Sequence, residues 1–207
     1  HLHTDGVFLD PDENIISYMN HFNVEKAIIT TINRTKYFNK KTDSNSGKSE
    51  GDNINNLMDN FKRLQPKGQL SHEDVIDLAN KAPDRFYKFF WFNPKLDFKE
   101  DENYKILEDH LRKGFCGVKI HSAFNFIKFP KDIMKLISFI QEHDENIIFF
   151  IHSLPKTAFF NGILPRDIAK LARNYPNLRI MVGHAAYCME YAVEVGMTLK
   201  NYFNVYF

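Results

Sequence analysis

Gly117-Val118-Lys119-Ile120-His121 is a short apolar run that ends in histidine, and runs of this kind decide the fold because they recur along the chain. Uninterrupted apolar runs are typical of parallel strands that are buried on both faces. With the run at 117–121, the sequence predicts seven strands. They lie at residues 1–3, 24–32, 86–92, 117–121, 147–152, 178–184 and 204–207.

Helical patterns separate these strands almost without exception. They are expected after Asp10-Pro11-Asp12-Glu13, whose acidic residues would lie in the first turn, and at 54–64, 71–81 (with Ser71 as N-cap), 102–113, 130–143, 165–174 and 188–198. This β/α alternation predicts an α/β fold, namely a (β/α)8 TIM-type barrel truncated before its eighth strand. The alternative, a doubly wound open sheet, is disfavoured because no glycine-rich turn follows the first strand.

Composition limits the kinds of protein and partner that the chain can represent. The 207 residues carry a net charge of +1, which argues against nucleic acid or a membrane surface as the main partner and leaves a small molecule. We expect one domain over 1–207, incomplete at its C-terminus, with a polar loop insertion at 33–53. Cys116 and Cys188 lack C-x-x-C spacing, which predicts reduced core thiols in a cytoplasmic protein. Oligomeric state leaves no trace in the sequence.

Histidines mark the ends of four of the six complete strands. The first six residues, His1-Leu2-His3-Thr4-Asp5-Gly6, place two imidazoles on one side of a strand, and His121, His152 and His184 end later strands. Barrel active sites form at the C-terminal ends of the strands, so these side chains should converge. Each could instead be a lone histidine satisfied by a backbone carbonyl. As a set, neutral imidazoles point to a divalent metal ion.

Several segments resemble one family. His1-Leu2-His3, Gly117-Val118-Lys119-Ile120-His121-Ser122, Ile151-His152-Ser153, Gly183-His184-Ala185 and Asn204-Val205-Tyr206-Phe207 resemble the metal-dependent amidohydrolase superfamily. The closest likeness is to its amidohydrolase-related branch, amidohydrolase 2, which includes decarboxylases and lactonases that act on carboxylated rings. The resemblance spans essentially the whole chain, and its order of motifs is more specific than any single motif.

The resemblance implies roles for particular residues. His1, His3 and His152 would be metal ligands, and His184 would be a second-metal ligand or a hydrogen-bond donor to the bound water or substrate. His121 would contact substrate or metal, whereas Lys119 would bind substrate or be the carboxylated lysine of binuclear members. The family's eighth-strand aspartate has no counterpart before Phe207, so we expect the catalytic centre of this chain to be incomplete.

The implied activity is a metal-dependent hydrolase that activates water to cleave an amide, ester or lactone bond, or that decarboxylates a carboxylated substrate. One or two divalent ions are expected, zinc first, with manganese or iron as alternatives. The substrate could be anionic, because Lys36, Lys40 and Lys41 lie on the polar loop near the predicted mouth. Two alternatives stay open: a phosphoesterase of the polymerase-and-histidinol-phosphatase type, whose opening motif is similar, and a non-catalytic barrel.

Overall fold

The computed structural model describes residues 2–4, 14–31, 72–95, 100–123, 125–144, 146–156, 162–185 and 188–207. The polar loop expected at 33–53 and the helix expected at 54–64 lie outside these ranges. The elements in chain order are β1 (Leu2–His3), α1 (Ile15–His21), β2 (Ala27–Thr30), α2 (Glu73–Lys81), β3 (Phe86–Trp91), α3 (Glu100–Arg112), β4 (Gly117–His121), a 3-10 turn (Lys131–Ile133), α4 (Met134–His143), β5 (Ile148–His152), α5 (Pro165–Asn174), β6 (Arg179–Gly183), α6 (Met189–Leu199) and β7 (Val205–Tyr206).

The seven strands form one parallel sheet in which spatial order follows chain order, from β1 to β7. A doubly wound sheet reverses its strand order at a switch point, whereas a TIM-type barrel does not. The fold is therefore α/β, with a parallel sheet, alternating helices and the strand order of a TIM-type barrel. The doubly wound alternative is wrong. Barrel closure and truncation before an eighth strand stay predictions.

Two predicted helix starts are wrong for identifiable reasons. Helix α1 has no acidic residue in its first turn, because Asn14 forms a capping box with Ser17 and starts the helix later than expected. Helix α2 has His72, not Ser71, at its N-cap, and the cap makes no side-chain bond to the helix. The imidazole of His72 serves another element: its Nε2 accepts the backbone N–H of Trp91 at 2.8 Å.

The two faces of the sheet have different surroundings. One face packs on the helices and forms the main core, with Phe90, Val118, Phe149 and Ile180 in adjacent register. The opposite face holds its own row, in which Trp91, Lys119, Phe150 and Met181 are register partners. A row of this kind is what a barrel interior contains. A lysine in it is unusual and marks where the chemistry should be sought.

Neither cysteine forms a disulfide within the described residues. Cys116 is half-buried, but Cys188 is exposed at the N-cap of α6, where the chain comes to the surface, so the expectation of two core thiols is wrong for Cys188. Among the helices that the structure describes, none is long and apolar enough to cross a membrane.

Gly183 is expected to be intolerant of alanine. A Cβ there would lie 2.3 Å from Cζ of Phe150, so the buried ring would have to move. Such overpacking should lower the free energy of unfolding by about 1–3 kcal/mol. Gly196, in α6, has no atom within 4 Å of an added Cβ, and Gly196→Ala should instead raise it by up to about 1 kcal/mol. Urea unfolding of both variants checks the prediction, and equal effects would contradict it.

Candidate functional site

Three of the predicted histidines meet at the C-terminal ends of neighbouring strands. The rings of His121 and His152 stack with centroids 3.7 Å apart and planes 21° from parallel. The ring of His184 lies 4.1 Å from that of His152, tilted by 36°. The structure thus brings together side chains that are 63 residues apart in the sequence (121 to 184), at the end of the sheet where barrel enzymes place their active sites.

The pairing of β4 with β5 explains the first contact. His121 and His152 are register partners at the ends of these two strands. Neighbouring strands lie about 4.8 Å apart, so partners on the same face bring their rings within stacking distance. The rings stack because the register brings the last residues of β4 and β5 level, and both strands end in histidine.

His184 reaches the cluster by a different route. Along β6 the inward positions are Met181 and Gly183, so strict alternation would point the next side chain toward the helices. Instead His184 follows the strand with φ of 61°, in the left-handed region, and its tilted ring lies against that of His152. Ser153, the residue after β5, stabilises this turn. Its backbone N–H and its hydroxyl group both donate to the carbonyl of Gly183, at 3.0 and 2.6 Å. A strained conformation at such a position is typical of functional sites.

Sequence reasoning missed two members of the site. The ring of Trp91, at the end of β3, stacks on His121 with centroids 5.7 Å apart and planes 10° from parallel. Its indole Nε1 donates to Oδ1 of Asn125 at 3.0 Å, which fixes the ring. A signal was available, because Trp91 lies next to the end of the apolar run 86–92. Asn125 follows β4 in a turn and carried no comparable signal.

Lys119 lies beneath the rings and is 1% exposed. Its Nζ lies 4.8 Å from the ring centroid of Trp91 and 5.5 Å from that of Phe150. Burial lowers the pKa of Lys119 from its ordinary value of 10.5 to about 7. The ammonium group is therefore easily deprotonated near neutral pH.

The same surroundings keep two imidazoles neutral. Burial, with the nearby charge of Lys119, lowers the pKa of His121 well below its ordinary value of 6.5. Burial and Lys119 also lower the pKa of His184. A neutral imidazole offers a lone pair to a proton or a metal ion, so each of these two side chains can act as a base or as a single ligand.

The site as described does not include His1 and His3, the histidine pair of the first strand. β1 pairs with β2 through Leu2 and His3, but His1 and the side chain of His3 lie outside what the structure describes. Within the described residues, no three His, Cys, Asp or Glu side chains are grouped so as to hold a metal ion. The rings of His121 and His152 are nearly parallel, and parallel rings do not aim their lone pairs at one point. The metal roles of His1, His3 and His152 stay predictions.

Comparison with known proteins identifies the family. The family model described as amidohydrolase matches residues 39–207, which is most of the chain and includes β3 to β7. No curated protein and no solved structure matches. The match begins after β2, so the His-x-His pair lies outside it. With its extent and the barrel-type order of strands, the chain belongs to the amidohydrolase superfamily, in the amidohydrolase 2 branch, whose members are generally metal-dependent hydrolytic enzymes.

Proposed function

We propose that this protein hydrolyses an amide, ester or lactone bond, or decarboxylates a carboxylated substrate, at a divalent metal held by His1, His3 and His152. The observation that carries the proposal is the cluster of His121, His152 and His184 at the C-terminal ends of β4, β5 and β6. Convergence of three strand-end histidines over one buried lysine is a costly arrangement for a structural role alone.

The donor chemistry fits a divalent ion. Imidazole nitrogens suit zinc, and also iron and manganese. Strand register supports a common level for His3 and His152. Followed from partner to partner through β2, β3 and β4, the register of His3 leads to Ile148 on β5. His152 lies four positions further along β5 (148 to 152). In an eight-stranded barrel of shear eight, level positions advance by about one residue per strand. In such a barrel His3 and His152 would lie level, on opposite walls.

A bound divalent ion would supply polarisation of a carbonyl oxygen and a lowered pKa for water. The residues of this chain would do the rest. His184, neutral and exposed beside His152, would accept or donate a proton at its imidazole nitrogen. His121, held between Trp91 and His152, would orient the substrate.

Lys119 can serve this chemistry in two ways, which stay alternatives. As an ammonium, it would attract an anionic substrate or a developing negative charge from below the rings. As a neutral amine near pH 7, it would be the form that takes up carbon dioxide to give a carbamate ligand for two metal ions. The lysine is buried in the row below His121, which favours the first role because a bridging ligand needs to reach the metal.

The first test is elemental analysis of the full-length protein, purified without a histidine tag, beside a His3→Ala, His152→Ala double variant. We expect one or two equivalents of transition metal in the wild type and a loss in the double variant. A His21→Ala, His143→Ala variant is the matched control, since both histidines lie at the C-terminal ends of helices. Wild-type protein that takes up neither zinc nor manganese would refute the proposal.

Activity assays separate the two hydrolytic alternatives. The metal-loaded protein should hydrolyse 4-nitrophenyl acetate or a lactone and leave 4-nitrophenyl phosphate intact. The opposite preference would favour the phosphoesterase. A non-catalytic barrel would turn over neither, with or without metal.

A further inference from the structure

Asn125 places a buried amide at the edge of the histidine cluster. The residue lies in the turn after β4 and is 2% exposed. Its backbone N–H donates to the carbonyl of His121 at 2.9 Å, and its Oδ1 accepts the indole N–H of Trp91 at 3.0 Å. Because the ring of Trp91 stacks on that of His121, Asn125 is joined to His121 by two routes.

The bond to Trp91 also determines which half of the amide remains for another partner. An indole nitrogen can only donate, so the atom that meets it must be the amide oxygen. The other half is the NH2 group, whose Nδ2 is buried and has no hydrogen-bond partner among the described residues. A buried donor without an acceptor costs free energy, and native proteins nearly always provide one. The NH2 group of Asn125 is therefore suited to bind an acceptor oxygen that is not part of the described chain.

The turn that carries Asn125 is well fixed. The carbonyl of Ser122 accepts the backbone N–H of Ile127 at 2.9 Å, which closes the turn around Asn125. Phe126, the next residue, has φ of 50°, in the left-handed region that residues other than glycine rarely adopt. Strained backbone of this kind is concentrated at functional sites. A donor held in this way keeps its position when a ligand binds, which favours selective binding.

The charges around the cluster favour an anionic acceptor. The Nζ atom of Lys119 lies 4.8 Å from the ring centroid of Trp91, the same ring that Asn125 holds. Lys119 also lowers the pKa values of His121 and His184, and no carboxylate of the described residues is among the charges that act on either imidazole. A carboxylate oxygen would thus meet a hydrogen-bond donor, a nearby cation and little repulsion.

We propose that Asn125 is a substrate-binding residue whose NH2 group donates a hydrogen bond to a carboxylate oxygen of the substrate, beside Trp91 and His121. The inference rests on the function proposed above and adds to it a residue that selects carboxylated substrates over neutral ones. A hydrogen bond to a charged partner corresponds to about a 10–100-fold difference in affinity.

The test measures the binding of benzoate and of benzamide, its neutral isostere, to the zinc-loaded, 15N-labelled full-length protein. Trp91 is the only tryptophan among the 207 residues, and a Trp91→Phe variant assigns its indole N–H peak in the 1H–15N spectrum. Benzoate should shift this peak saturably, whereas benzamide should bind at least about tenfold more weakly. Zinc content is measured on every sample, so that differences in affinity are compared at equal metal occupancy.

Two variants separate the NH2 group from the bond to Trp91. Asn125→Asp keeps an oxygen for the indole N–H and replaces the donor by an acceptor, so at pH 8 it should bind benzoate about 10–100-fold more weakly. Asn125→Leu places no charge there and should weaken benzoate binding to a similar extent. Asn177→Asp is the matched control: Asn177 is exposed in the turn before β6, and this variant should bind benzoate as the wild type does.

The outcomes distinguish this inference from the proposed function. Unchanged benzoate affinity in Asn125→Asp would overturn the inference, even if Asn125→Leu binds weakly, because loss of the bond to Trp91 would then be the cause. Equal affinities of the wild type for benzoate and benzamide would also overturn it. Either result leaves the proposed function standing. Failure of the wild type to take up zinc would overturn both.

Discussion

Replacing Lys119 by methionine is expected to make the protein more stable at neutral pH and less active. Methionine fills a similar volume in the row of Trp91, Phe150 and Met181 without placing a charge there. The fall of the Lys119 pKa from 10.5 to about 7 corresponds to at most about 5 kcal/mol of lost stability. A gain of about 2–4 kcal/mol in the free energy of unfolding at pH 7 is the expected result.

The lowered pKa of Lys119 also determines how the stability of the wild type changes with pH. In the unfolded chain Lys119 keeps its proton up to about pH 10.5, whereas in the folded protein it loses it near pH 7. The cost of the buried charge is therefore complete below pH 7 and disappears as the pH rises toward 10.5. The free energy of unfolding of the wild type should therefore rise relative to that of the Lys119→Met variant between pH 7 and 9.5.

Urea unfolding at the two pH values measures this difference. Lys26→Met, which removes an exposed lysine directly before β2, is the control and should change stability by less than about 0.5 kcal/mol. A Lys119→Met variant less stable than the wild type at pH 7 would show that the ammonium group is well compensated where it lies. In the stabilised variant, the pKa values of His121 and His184 should rise, since Lys119 is one cause of their low values.

The strands and their order follow from local chemistry, which is why the sequence predicts them well. The run 117–121 matches β4 at both ends, and 147–152 misses the start of β5 by one residue. Continuous apolar runs leave few alternatives to buried parallel strands. Helix starts were harder, because Asn14 and His72 take their roles from partners that a periodicity does not reveal.

In the candidate site, too, some residues were predictable from local patterns and others were not. His121 and His152 were predictable because their positions depend only on strand alternation and register. His184 was predicted to join them, but alternation alone would have sent it to the other face, and the turn that redirects it depends on Ser153, the residue after a neighbouring strand.

Removal of the His184 imidazole is expected to have the largest effect on catalysis. Proton transfer by a positioned side chain contributes about 10²–10⁴-fold, so His184→Gly should lower kcat for 4-nitrophenyl acetate or a lactone by that factor. Glycine is preferred to alanine here because φ is 61°, a conformation that glycine adopts without strain. The relief of strain offsets the added freedom of the unfolded chain, so stability should stay within about 1 kcal/mol of the wild type.

The pH profile and a matched variant connect the loss to the imidazole. Burial and Lys119 lower the pKa of His184, so the neutral form dominates at pH 7 and wild-type kcat/KM should fall only below pH 6.5. Asn23→Gly is the matched variant. It relaxes another positive φ, of 53°, before the N-terminal end of β2, and should leave kcat unchanged.

Metal analysis of His184→Gly then decides between the two roles of His184. An unchanged metal content identifies a proton-transfer group, and the loss of one of two equivalents identifies a second-metal ligand. Wild-type kcat in His184→Gly would exclude both, because an imidazole that neither moves a proton nor holds a metal ion can be removed without kinetic effect.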